Sequence, residues 1–294
     1  YEIRLSLVGS EMCIRDRMRD YQNGEIIFDR RYGSTNTFEK NNYPVGYNLG
    51  QSGNTPSQNL VDAYEMIDGT PFDWNNPEHK SNPYANRDPR LAMSILTNNV
   101  EFKDRTIEAW TGGRDGKGVI HATRTGYYIY KFIDPNLDLL QNRTSVHHWV
   151  IMRYAEILLS YAEAMNEAYG PTGNVGYRLN AVRALNQVRN RVGVEMPAVP
   201  TAISKEELRE KIRNERRVEL AFEDHRFWDV RRWMIAPETL GAPLRGVEIT
   251  KISDEEFEYK PIEVEKRTFE PKMYLYPIPQ ADLNTTGWVQ NPLW

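Results

Sequence analysis

Residue types that could do chemistry are present in this chain, but their spacing rarely matches what the chemistry requires. TGGRDGKGV (111–119) has the look of a phosphate-cradling loop. The pattern that wraps a phosphate in backbone N–H groups needs Gly at the position of Thr111 and Ser or Thr at that of Gly118, so the stretch reads as a surface turn. DPNLDL (134–139) sets Asp134, Asn136 and Asp138 in the order of a calcium loop, yet Leu139 replaces the required Gly and no Glu follows at the twelfth position. His147 and His148 are adjacent, so on any regular element they point apart and cannot clasp one metal ion. Glu219, Glu223 and His225 look metal-like in a row, but His225 is two residues from Glu223 and falls on another helix face. No cofactor is expected from any of these groups.

Nucleophilic chemistry fares no better. There is no GxSxG elbow, and the one cysteine, Cys13, has neither a disulfide partner nor zinc-type Cys/His spacing around it. Paired carboxylates for glycoside hydrolysis meet only in three dimensions, so 41 acidic residues make candidates such as Asp73 or Asp115 uninformative by themselves. The charges, 37 basic against 41 acidic, are mixed in order and give no basic field for nucleic acid. No run of about 18 apolar residues is present to span a bilayer as a helix. The dense charge of residues 213–232 reads as an ion-pair network of i, i+4 type, with Glu215 and Glu219 flanked by Arg216 and Arg217.

The elements that would position these groups change along the chain. Residues 18–148 read as loops with short elements: 41–60 is rich in Gly, Pro and Asn, 59–66 has helical spacing, and 68–90 is turn chemistry throughout. LAMSIL (91–96) and TGYYIYKFI (125–133) are strand-like. Residues 149–294 are then mainly helical. Ile151, Tyr154, Leu158, Tyr161 and Met165 step by three or four to the stop at Gly170-Pro171, and Leu179, Val182, Leu185, Val188 and Val192 repeat the pattern to Gly193. The two helices are expected to pack as a hairpin. A third begins at Ser204, where SKEE has the capping-box form with Glu207 three residues on, and is expected to run about 30 residues to Met234. The tail from Gly241 is expected to be irregular, ending in an extended KMYLYPIP (272–279).

RYAEILLSYAEAMNEA (153–168), LNAVRALNQVRNRVG (179–193), RNERRVELAFEDHRFWDVRRW (213–233), YLYPIPQADLN (274–284) and QNPLW (290–294) together resemble the C-terminal half of the SusD/RagB family. TPSQNLVDAYEMIDG (55–69) and YANRDPRL (84–91) are similar to upstream family motifs, in the expected order. The resemblance implies a mainly α fold, a tetratricopeptide-like helical superhelix with long loops and short β segments. It implies a surface-exposed outer-membrane lipoprotein that captures glycan or peptide nutrients, without a chemical step, and passes them to a SusC-like TonB-dependent transporter. Members are about twice as long, so the early repeats and the lipid-bearing N-terminus are expected to be absent from this sequence. LVGSEMCIRDR (7–17) fails as a signal peptide, because Glu11 and Met12 precede the cysteine where small residues belong. It looks like a translated sequencing adapter, and Tyr1 to Arg17 is expected not to be biological protein.

Within that reading, aromatic residues in polar loops are the candidate ligand contacts, since sugar C–H faces pack on rings while hydroxyls need amide and carboxylate partners. Asp73, Trp74 and Asn75 offer that combination, and Tyr43, Tyr47 and Trp110 are further candidates. Packing beneath its own loop is the alternative for each. Trp149, Trp228 and Trp233 are expected in the core. Two other functions stay open: a glycan-degrading enzyme, and a tetratricopeptide scaffold or peptide-binding RagB-like subunit. Expressed alone, residues 18–294 are expected to be poorly stable and to aggregate on heating; a cooperative thermal transition without aggregation would contradict this.

Overall fold

The computed structural model describes residues 24–294; the stretch at 1–17 lies outside them. From the N-terminal side come β1 (Ile26–Arg31), α1 (Thr37–Asn42), α2 (Gln58–Val61), α3 (Pro77–Ser81), α4 (Arg90–Ser94) and the short strands β2 (Ile95–Leu96), β3 (Glu101–Phe102), β4 (Arg105–Thr106) and β5 (Tyr128–Ile129). Then follow β6 (His148–Arg153), α5 (Tyr154–Tyr169), α6 (Ala181–Arg189), α7 (Lys205–Glu219), α8 (His225–Arg232), α9 (Ala236–Thr239), β7 (Leu244–Lys251), β8 (Phe257–Glu265) and α10 (Gln280–Thr286). The strands form antiparallel pairs only: β1 with β6, β2 with β5, β3 with β4 and β7 with β8.

The helical stretch follows its apolar periodicity. Leu158, Leu159, Ala162 and Met165 of α5 meet Val182, Leu185 and Val188 of α6 and Leu208 and Ile212 of α7 in one buried cluster. Asn180 caps α6 by accepting from Arg183 N–H at 2.9 Å. The capping box of α7 is present in both directions: Glu207 N–H donates to Ser204 Oγ at 3.1 Å and Ser204 N–H to Glu207 Oε2 at 3.0 Å. The residues before Tyr154, expected as helix, are instead strand β6, paired with β1.

The 30-residue helix is two helices. α7 stops at Glu219, and Phe222 and Asp224 take left-handed φ values of 65° and 64° before α8 begins. Buried cations cause the break. Lys131 Nζ donates to the Ala221 carbonyl at 3.0 Å, and Arg153 Nη2 to the Glu219 carbonyl at 2.8 Å, groups that a continuous helix would satisfy internally. Arg216 then pins α8 to α7 through both oxygens of Asp229, at 2.9 and 3.1 Å.

Around this break lies a charge network, and it is buried and long-range rather than an i, i+4 ladder on a solvated face. Glu219, fully buried, accepts from Arg90 at 2.9 Å, Arg153 at 2.7 Å and Arg191 at 2.7 Å. Glu223 pairs with Arg153 at 2.7 Å and Lys131 at 2.5 Å, while Glu215 holds Arg189 at 2.8 Å and also bonds Arg90. Burial raises the cost of every one of these charges, and the arginines overcome it: the Glu219 carboxyl is held well below the usual range and that of Glu223 below it.

Four further expectations are corrected. LAMSIL is helix α4 over its first four residues and strand only at Ile95–Leu96; the Arg90 side chain, drawn inward by Asp88 and Glu219, seats the turn. Of 59–66 only the start is helical, and of 125–133 only Tyr128–Ile129 pairs as strand. The tail beyond Gly241 forms the β7–β8 hairpin, whose Val247 and Ile249 enter the same core as Tyr127 and Tyr128. Gly126, at φ +85°, allows this approach: a Cβ there would meet Val247 Cγ1 at 2.7 Å.

Because the folded Glu219 and Glu223 carboxyls lie below their ordinary value of 4.5, an unfolded chain takes up their protons first as pH falls. Their stabilisation is complete above about pH 4.5 and is lost as pH drops through the folded values. Thermal melts should therefore fall steeply below pH 4.5, and Glu219→Ala should cost about 3–5 kcal/mol at neutral pH by stranding three arginines. A melting temperature flat from pH 6 to 3 would contradict the first expectation.

Candidate functional site

A cleft of about 1050 Å³ lies between the chain from α3 to α4, the 97–100 turn and the tip of the β7–β8 hairpin. Its size is at the upper end for small-ligand sites and leaves room for several sugar rings. Tyr84 and Phe257, both half-buried, supply ring surface, with Tyr259 buried behind them. Tyr84 meets Tyr259 edge-on at 5.3 Å and Tyr127 at 6.1 Å, so its ring orientation is fixed from two sides. Its hydroxyl donates to Tyr127 Oη at 3.3 Å, and burial pushes the Tyr84 phenol well above the tyrosine range, so it stays a neutral hydrogen-bonding group.

Polar groups converge on the same space. Asn82, Asn99, Glu256 and Glu258 are exposed at its wall, while Asn98 is buried and committed, donating to Tyr259 Oη at 3.4 Å and accepting from Ala109 N–H at 3.1 Å. Asp88 is clamped by Arg90 Nη2 at 2.7 Å. Arg87 donates to the backbone oxygens of Pro83, Val61 and Tyr64, and burial pushes its guanidinium down to about 10. The wall is thus rigid where it is buried and amide- and carboxylate-rich where it is open.

The six residues singled out by sequence are not brought together. Tyr43 and Tyr47 are 1% and 7% exposed and belong to the core. The Tyr43 hydroxyl donates to the Asp134 carbonyl and the Tyr47 hydroxyl to that of Phe102 at 2.8 Å. Lys103 and Arg105 sit over their rings, 4.8 and 3.8 Å from the centroids, and Phe102 packs edge-on to both. Both residues border a cavity of about 580 Å³ with Lys103 and Arg105, but their buried rings lie beneath those cations, packed under their own loop. Asp73 closes its own turn, accepting from Asn75 N–H at 2.8 Å and Nδ2 at 3.0 Å. Trp74 is half-buried, donates to Asp62 at 3.0 Å and meets Phe72 edge-on at 5.1 Å; Phe72 in turn carries Arg87 of the cleft wall over its ring at 4.1 Å. Trp110 lies against Phe257 at 5.3 Å and so supports the cleft from behind.

Sequence reasoning missed Phe257 and Tyr259, whose period-2 placement opposite Lys251 and Ile249 was the available signal, hidden by Pro261 and the charges around it. Of the expected core tryptophans, Trp149 packs on Phe132 at 5.3 Å and Trp233 is half-buried, donating to Glu163 at 2.7 Å. Trp228 is 61% exposed, because Asp229 and Val230 take the inward face of α8. His147, just before β6, bonds Glu39, and His148 at its start bonds Asp29.

The profile of the SusD family matches residues 24–294. A SusD-like protein of Bacteroides fragilis is 31% identical with a TM-score of 0.77, over 95% of this chain and 57% of that one. A SusD-like carbohydrate binding protein of the same organism is 30% identical with a TM-score of 0.74, over 89% of this chain and 53% of its own. SusD-like protein P2 of Formosa agariphila is 34% identical over 120 residues, 39% of this chain and 22% of that protein. This chain therefore spans little more than half the length of the solved relatives.

Tyr47→Ala is expected to cost about 3–5 kcal/mol, as a large buried aromatic does, and to leave glycan affinity unchanged where the protein remains folded. Loss of binding with an unaltered melting temperature would return Tyr47 to the ligand surface.

Proposed function

Because this chain belongs to the SusD family, we propose that it captures glycans at the bacterial outer-membrane surface and hands them to a SusC-like TonB-dependent transporter, as part of a lipoprotein and without catalysis. The observation that carries the reading is the cleft beside Tyr84 and Phe257. Two oriented aromatic edges lie within one open space lined by amide and carboxylate side chains, which is what alternating apolar faces and hydroxyls of a saccharide need. The description of a B. fragilis relative as carbohydrate binding supports the same ligand class. Family membership is the support for the transporter and for the surface location; among the described residues no helix is long and apolar enough to cross a membrane.

A hydrolase would need a carboxylic acid whose proton is held to higher pH, beside a second carboxylate that stays ionised. Every carboxyl with a displaced pKa among the described residues is displaced downward, by arginine, lysine or hydrogen-bond donors, as at Glu108, Glu163 and Glu219.

Phe257→Ala should weaken binding of a neutral oligosaccharide from a glycan panel about tenfold, equivalent to about 1.4 kcal/mol. Calorimetry with wild type and variant tests this. Unchanged affinity would remove the cleft, and no binding across the panel would remove the glycan reading.

A further inference from the structure

A second cavity, about 560 Å³, lies between α2, the α7–α8 junction and the segment leading into β7. Four arginines reach its wall: Arg217 and Arg226 from the helices, Arg245 from β7 and Arg267 beyond β8. Three acids share the wall, and they do not neutralise the cluster. Asp62 is committed, to Arg245 at 2.6 Å, Gln58 at 2.7 Å and Trp74 at 3.0 Å. Asp224 and Glu238 are exposed to solvent. Arg217 donates to the Asn59 carbonyl and Arg267 to that of Ala242 at 3.0 Å, while Arg226 makes no hydrogen bond or ion pair among the described residues. Three guanidinium groups thus line one cavity with no carboxylate bound to them.

The energetics agree with that count. Burial pushes the Arg217 guanidinium down to about 10, and the positive charge of Arg226 adds to the effect against the pull of Asp62. Burial likewise pushes Arg226 down, despite Asp229 nearby. The N-terminus of α8 faces the same space, with the exposed carboxylate of Asp224 at its N-cap and no side-chain hydrogen bond capping it. Asp224, Arg226 and Phe227 of that end line the cavity. Leu220, Phe222, Phe227 and Leu240 give the wall its apolar part, with Ser57, Asn59 and Thr239 as neutral polar groups.

We propose that this cavity binds an acidic saccharide through its carboxylate or sulfate ester. Guanidinium forks match the paired oxygens of either group. The volume exceeds what a bare oxyanion fills and lies within the range of small-ligand sites, and Phe222 and Phe227 offer rings to a sugar face. The proposal rests on the glycan reading for the saccharide part; the anion preference rests on the arginines. It differs in place and charge from the Tyr84–Phe257 cleft, whose open wall carries Glu256 and Glu258.

Calorimetry on the full chain with digalacturonate, its methyl ester, galactose 6-sulfate and inorganic sulfate tests it. At least one acidic sugar should bind, the digalacturonate and sulfate-ester arms telling the two sources apart. Arg226→Ala should weaken that binding at least tenfold with little change in melting temperature, since its side chain makes no hydrogen bond or ion pair among the described residues, and Arg226→Lys should fall between. Phe257→Ala should leave it intact, which separates this site from failure of the neutral-glycan cleft. Equal binding of the methyl ester, equal affinity in Arg226→Ala, inorganic sulfate as tight as either sugar, or no binding of any acidic sugar would overturn it.

Discussion

A single carboxylate, Glu219, buried with three arginines on it, is the constraint around which the described residues are arranged. A lone charge at that depth would be prohibitive, and removing any partner leaves the others stranded, so the segments that supply the arginines must all be in place together. Arg90 comes from α4, Arg153 from the end of β6 and Arg191 from just beyond α6. Glu215 and Glu223 extend the network on either side, to Arg189 and Lys131. Segments far apart in sequence are tied at one point, where apolar contact alone would specify position less sharply.

Two consequences reach the surface. The carbonyls of Glu219 and Ala221 turn toward Arg153 and Lys131, which ends α7, turns the chain through Phe222 and Asp224, and exposes the start of α8 to the arginine-lined cavity. On the other side, Arg90 grips Asp88 with the same guanidinium that reaches Glu215 and Glu219. Asp88 is part of the cleft wall beside Tyr84. The buried charges therefore position both candidate binding surfaces without touching a ligand at either.

What the sequence made legible was local. Apolar periodicity and the Ser204–Glu207 capping box located α5, α6 and the start of α7, because these depend on residues three or four apart. The end of α7 was hidden, since its cause, Lys131 and Arg153, lies more than 60 residues upstream. The β7–β8 hairpin was masked by its charges and Pro261, and with it the Phe257 side of the cleft. Aromatic, polar loop composition pointed to Tyr43 and Tyr47, but composition does not say which face of a loop a ring takes. Lys103 and Arg105 over those rings decide it. Trp110 was placed near the cleft for a reason no local pattern carries, its contact with Phe257.

The central claim is that glycan is captured against the wall clamped through Asp88 and Arg90, with the hairpin tip as its other side. Amide hydrogen exchange of the chain with and without a bound neutral oligosaccharide tests it most directly. The account predicts added protection in residues 80–100 and 252–259, with residues 43–57 unchanged. Protection confined to 43–57, with none at the cleft, would contradict it.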